Sequence, residues 1–99
     1  MPGNVEFDLD VEAVSKLMHA LSSTSRLKIL LALEKDARRL SRLDDLVGIS
    51  EASLHSHLKI LLSLGLVAKE LHGQIAYYRI TDLGRDILRV VRKMEKIIS

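Results

Sequence analysis

Val47-Gly48-Ile49-Ser50-Glu51-Ala52-Ser53-Leu54-His55-Ser56-His57-Leu58-Lys59-Ile60-Leu61 is the stretch on which the fold turns. Ser50 is placed as a helix N-cap, its hydroxyl accepting a backbone N–H of the first turn. Glu51 favours the positive helix start, and Ile49 can staple onto Leu54. The helix that begins here buries Leu54, Leu58 and Leu61, spaced four and three apart. It runs to about Leu64 and stops at Gly65. Upstream, Ser41 reads as the N-cap of another helix, which turns Leu43, Leu46 and Val47 inward and ends at Gly48. Only Gly48, Ile49 and Ser50 separate the two helices. Two helices joined by so short a glycine-containing turn form a helix-turn-helix unit, here spanning 41–64.

Beyond Gly65 the apolar spacing changes from helical to extended. Leu66 to Leu71 and Ile75 to Ile80 read as two strands of a hairpin around His72-Gly73-Gln74, with Gly73 supplying the positive φ of a tight loop. A hairpin in this position is a wing, 66–80. Thr81 or Asp82 then caps a last helix over 82–98, in which Leu83, Ile87, Val90, Met94 and Ile97 make one stripe, widened by Leu88, Val91 and Ile98. At the other end, Val11, Val14, Met18 and Leu21 mark an amphipathic helix over 9–21. Ser23 caps a following helix that carries Leu27, Leu30, Leu31 and Leu33. The fold expected is mainly α with a small β-hairpin wing, a winged helix-turn-helix in the order α-α-α-α-β-β-α. It forms one domain over 9–99, behind a disordered start at 1–8. The apolar stripes of the first and last helices exceed what a small core can cover. Val11, Val14, Met18, Ile87, Val90, Val91, Met94 and Ile97 are therefore expected to pair two copies into a homodimer.

Composition narrows the chemistry. There is no cysteine, which removes disulfides, thiolate metal sites and cysteine nucleophiles together. No glycine-rich phosphate loop and no arrangement of Ser, His and acid stands out, so the chain reads as a non-enzyme without a cofactor. Its 99 residues fit one compact domain with one function. Apolar runs such as Ile29 to Leu33 fall far short of the roughly 20 residues that span a bilayer, and Met1 to Leu9 holds no secretion signal. A cytoplasmic protein without a membrane partner is the expectation. The net charge of +2 permits a nucleic-acid partner without demanding one. Its distribution is uneven: residues 1–15 carry Glu6, Asp8, Asp10 and Glu12 with no Lys or Arg, whereas 83–99 carry Arg85, Arg89, Arg92, Lys93 and Lys96 against Asp86 and Glu95. The two ends could lie near each other, although solvated helix faces are the plainer reading.

The order of elements, with Leu21-Ser-Ser-Thr-Ser-Arg-Leu-Lys-Ile-Leu30, Ser50-Glu-Ala-Ser-Leu-His-Ser-His-Leu-Lys-Ile-Leu61, Gly65-Leu-Val67 and Tyr77-Tyr-Arg-Ile-Thr-Asp-Leu-Gly84, resembles the arsenical-resistance repressor (ArsR) family over nearly the whole chain. Related winged-helix repressors of the multiple-antibiotic-resistance type share several of these pieces. The resemblance implies a homodimer that docks its fourth helix in the DNA major groove while the wing reaches backbone or minor groove. Many relatives release DNA when a metal binds. This chain departs from that pattern, because the family's thiolate pair cannot form without Cys and the last helix offers only Asp82, Asp86 and Glu95. No metal site is expected.

With Leu54, Leu58 and Leu61 inward, the fourth helix turns Glu51, Ala52, Ser53, His55, Ser56 and Lys59 to solvent. Short polar side chains at the leading end of a helix suit a major groove, with Ser and His at base edges and Ala against a thymine methyl. Ser53, His55 and Ser56 are the foremost base readers, with Ser50, Glu51, Ala52, His57 and Lys59 beside them. His57 lies at the edge of the inward stripe, where a structural or phosphate-contacting role fits better. His55 and His57 point about 200° apart and cannot chelate together. Phosphate contacts fall to Lys69, His72, Gly73, Gln74 and Arg79 on the wing and to Arg42, with Arg38 and Arg39 as further sources of positive charge. The competing reading is a winged-helix protein-interaction module without specific DNA binding. It draws on the sparse basic wing, on Glu51 and on the pair Asp44-Asp45.

Overall fold

Each helix start shows how directly the sequence positions the chain. The structure, a computed structural model, describes residues 5–99. Residues 1–4 of the expected disordered start lie outside that range, and residues 5–10 form neither helix nor strand. Helix α1 (Val11–Leu21) is capped by Asp10, which accepts the Ala13 N–H, and α2 (Thr24–Ala32) by Ser23, which accepts that of Arg26. Helix α4 (Glu51–Ser63) starts at Ser50, whose hydroxyl accepts the Ser53 N–H at 3.1 Å. Helix α5 (Asp82–Ile98) starts at Thr81, which accepts the Gly84 N–H at 3.0 Å. These caps satisfy donors that a helix start otherwise leaves open.

Helix α3 (Leu40–Val47) departs from expectation. It begins before Ser41, and Arg39 precedes it in extended conformation with no side-chain cap. The cause is a short strand just before it that was not among the expected elements. Arg38–Arg39 form β1 and pair with Tyr78 and Tyr77, so the chain enters α3 directly from a sheet. The wing is consequently part of a three-stranded antiparallel sheet in the order β1-β3-β2, with β2 at Val67–His72 and β3 at Ile75–Ile80. Register runs from Val67 opposite Ile80 to His72 opposite Ile75, leaving Gly73-Gln74 as a two-residue turn. A positive φ of 65° at Gly73, the first central residue, meets the need of a type II′ hairpin.

The core gathers Ile29, Leu30 and Leu33 from α2 and its end, Leu43 and Val47 from α3, and Leu54, Leu58 and Leu61 from α4. Leu66, Val67, Tyr78 and Ile80 close it from the sheet side, and Leu88 from α5. Leu46, expected inward, is 44% exposed, because Leu43 and Val47 sit four apart and leave Leu46 off their row. Leu31 is likewise half exposed. On α1 the core is met by Leu17, Ala20 and Leu21, so Val11 and Met18 remain largely exposed. On α5 Gly84 and Leu88 are buried, whereas Leu83, Val90, Met94 and Ile97 face out. The oppositely charged ends form no ion pair with each other among the described residues. Arg92 instead reaches Glu34, just past α2, with both terminal guanidinium nitrogens at 2.5 and 2.7 Å. Among the described residues no helix is long and apolar enough to cross a membrane.

Candidate nucleic-acid interface

The α3–α4 turn sets the attitude of α4. Gly48 takes a left-handed conformation, φ 78°, and its N–H donates to the Asp44 carbonyl at 2.8 Å. The chain thereby leaves α3 and restarts at Ser50 two residues on. Leu54, Leu58 and Leu61 pin the new helix to the core, and Glu51, Ala52, Ser53, His55, Ser56 and Lys59 are exposed as expected. Not all of these side chains are equally free. The Ser50 hydroxyl is engaged as the cap, and the Ser56 hydroxyl donates to the Ala52 carbonyl at 3.3 Å. Ser53, His55 and Lys59 make no side-chain hydrogen bond or ion pair among the described residues, which leaves their donors and acceptors open to a ligand.

His57 belongs to a different constellation. Its Nδ1 lies 3.0 Å from Nη1 of Arg26, a residue only 7% exposed. Arg26 also donates from Nε to the Ala20 carbonyl at 2.6 Å and from Nη2 to the His19 carbonyl at 3.2 Å. Since the guanidinium can only donate, Nδ1 accepts, and the neutral ring carries its proton on Nε2. One side chain thus neutralises the carbonyl end of α1 and ties it to the middle of α4. Sequence reading missed Arg26. The only available signal was an arginine at the third helical position after the Ser23 cap, flanked by Leu27, Ile29 and Leu30.

A groove of about 400 Å³ runs between α4 and the sheet, with His55, Ser56, Lys59, Lys69 and Tyr78 over Leu58 and Leu62. Two lysines from different elements therefore face one channel. Tyr78, buried in the core, also lines this groove and was not singled out from sequence. Along the wing the charge is largely taken up. Glu70 forms an ion pair with Arg79 and a hydrogen bond with His72 at 3.3 Å. The hydrogen bond from His72, joined by that from Arg79, holds the Glu70 carboxyl below the usual carboxylate range against an opposing effect of burial that outweighs the Arg79 bond alone. The His72 ring also lies 4.7 Å from that of Tyr77, tilted by 43°. Lys69, Gly73 and Gln74 are exposed, as is Arg42 on α3. Arg38 is partly occupied, donating to the Ala32 carbonyl at 3.3 Å and lying 3.7 Å from Asp36.

Comparison with known proteins agrees with this architecture. The chain is 32% identical over 72 residues to the HTH-type transcriptional repressor SmtB of Mycobacterium tuberculosis, a match covering 73% of this chain and 53% of that protein. The chain thus spans about half the length of the curated relatives it matches. A homodimeric winged helix-turn-helix DNA-binding domain from Mycobacterium bovis, described as a possible ArsR-family transcriptional regulator, superposes with a TM-score of 0.75 at 26% identity. That match covers 99% of this chain and 90% of the other. NolR of Sinorhizobium fredii gives a TM-score of 0.78 at 28% identity over 86% of each chain. The resemblance to arsenical-resistance repressors read from the motifs therefore has relatives in both sequence and structure. Residues 20–99 match the model of the HxlR-like helix-turn-helix family, and the chain belongs to that family.

Proposed function

We propose that this protein is a homodimeric transcriptional regulator, a repressor in the cytoplasm, that binds specific double-stranded DNA through α4. One observation carries the reading: α4 presents a small, polar leading surface, with the Ser53, His55 and Lys59 side chains unengaged, from a three-helix platform. Ser53, His55 and Ser56 read base edges, with Ala52 available to a thymine methyl and Ser50, Glu51 and Lys59 flanking them. His57 orients α4 through Arg26. Lys69, His72, Gly73, Gln74, Arg79 and Arg42 meet the phosphate backbone. Val11, Val14, Met18, Ile87, Val90, Val91, Met94 and Ile97 hold the two copies together. A repressor among the curated relatives supports the same direction of action.

A protein-interaction module is the second reading, and one observation favours it: Glu70 neutralises much of the wing. Fluorescence anisotropy decides, using duplex from upstream of the protein's own gene against scrambled duplex across a salt series. Tighter binding to the upstream duplex, lost in Ser53→Glu/His55→Ala while the dimer persists, is the expected result. Equal and feeble binding to both duplexes at low salt would transfer the assignment to the interaction module.

A further inference from the structure

Residues 5–11 read Val-Glu-Phe-Asp-Leu-Asp-Val, an alternation of apolar and acidic side chains unlike the helical spacing of α1 that follows. In an extended chain such a segment turns Val5, Phe7 and Leu9 to one side and Glu6, Asp8 and Asp10 to the other. Apart from Asp10, whose carboxylate caps α1, neither side is used within one copy. Val5 and Phe7 are each 73% exposed and Leu9 56%, and none of the acids joins an ion pair among the described residues. The chain contains a single phenylalanine, and this is it.

A surface of matching pattern lies along α5. Helical geometry sets Arg89, Lys93 and Lys96 in one row and Val90 and Ile97 in the row beside it. Val90 is 51% and Ile97 82% exposed, and Lys93 and Lys96 are in no ion pair among the described residues. Asp86, already held by Arg89 at 2.6 Å, closes the amino end of the seam between the rows. The spacings agree as well. Acids two apart on a strand recur every ~6.6 Å, and basic residues four apart on a helix every ~6 Å.

We infer that residues 5–10 of one copy lie extended along this seam on α5 of a second copy, with Glu6 and Asp8 on the Arg89, Lys93 and Lys96 row and the apolar side of the segment against Val90 and Ile97. The inference rests on the homodimer reading and adds an exchanged arm to it. Two-fold symmetry makes the exchange reciprocal, so each dimer carries two such arms. The occupant is chosen by charge: residues 1–15 hold four acids and no base, the complement of the α5 row.

Sedimentation equilibrium at low salt tests the inference first. Glu6→Lys/Asp8→Lys and Lys93→Glu/Lys96→Glu should each raise the dimer Kd several-fold, and their combination in one chain should restore it. The absence of cysteine permits a second readout. When Asp8→Cys and Lys93→Cys chains carrying tags of different size are mixed and oxidised, they should form a disulfide between unlike chains, whereas Asp8→Cys with Arg42→Cys should not. A dimer whose Kd is unchanged by either charge reversal, or a mixture of Asp8→Cys and Lys93→Cys chains that forms no disulfide between them, overturns the exchanged arm and leaves the dimer standing. A protein that sediments as a monomer at all concentrations overturns both.

Discussion

Gly84 stands where α5 passes so close to the sheet that no side chain fits. A Cβ there would overlap the Leu66 carbonyl oxygen and come within 2.6 Å of Ile80 Cγ1. Helix propensity favours Gly84→Ala by about 1 kcal/mol. The first obstacle is backbone, however, and cannot swing aside, so a net loss of about 1–3 kcal/mol is expected. It would appear as a lower urea midpoint with an unchanged m value. A midpoint at or above wild type would show that α5 can shift freely on the sheet. Arg26 is the second residue whose weight exceeds its appearance. Removing it in Arg26→Ala strands the Ala20 carbonyl, leaves that of His19 to Ser22 alone and releases His57, a loss of about 1–3 kcal/mol. On the DNA side, Glu70 restrains both Arg79 and His72. Glu70→Gln should therefore tighten DNA binding several-fold at low salt and steepen the log–log salt dependence by about one unit, one extra phosphate contact. An unchanged slope would mean that Arg79 does not reach the backbone.

At the scale of elements, what was legible in the sequence depended on how local the deciding interaction is. Helices α2, α4 and α5 announce themselves because Ser23, Ser50 and Thr81 cap them from within three residues. Strand β1 did not, since two arginines carry no strand signal and their partners, Tyr77 and Tyr78, lie far along the chain. The reach of Arg26 to His57, and the burial choice between Leu46 and its neighbours, were invisible for the same reason. The Arg92–Glu34 pair is another long-range contact, and it ties α5 to the end of α2. The hydrogen bond from Arg92 lowers the Glu34 carboxyl below its ordinary value, opposed by partial burial. A depressed folded pKa means that the pair's contribution is complete above the unfolded carboxylate value and fades as pH falls through the folded one. The stability difference between wild type and Arg92→Gln should thus be constant from neutral pH to about pH 5 and shrink as pH falls below the ordinary glutamate value of about 4.3. Urea titrations from neutral to acid pH measure it, and a difference that does not shrink on acidification would place the effect in packing of the arginine stem instead.

The molecule as a whole is more extended than its length requires. Its radius of gyration is 15.9 Å, where a compact domain of 100 residues has about 13 Å. The excess lies where chain leaves the core, in residues 5–10 and in the second half of α5, with Ile97 and Ile98 more than four-fifths exposed. Beside that half of α5, Met18 and Leu21 of α1 and Leu27 of α2 join Val91, Met94 and Ile98 around an apolar hollow of about 370 Å³. A monomer would leave this continuous surface wet, which single domains of this size avoid. Two copies joined there would present two α4 helices to one face of DNA, at half-sites about 34 Å apart. Met94 sits within that surface yet outside the core, so Met94→Asp separates assembly from folding. The variant should keep the wild-type helical circular dichroism, sediment as a monomer, and lose the dependence of Tm on protein concentration that a dimer must show. Its DNA affinity should fall by more than about tenfold, because a lone α4 retains only one half-site. Full affinity in a monomeric Met94→Asp would mean that one α4 and one wing suffice for recognition.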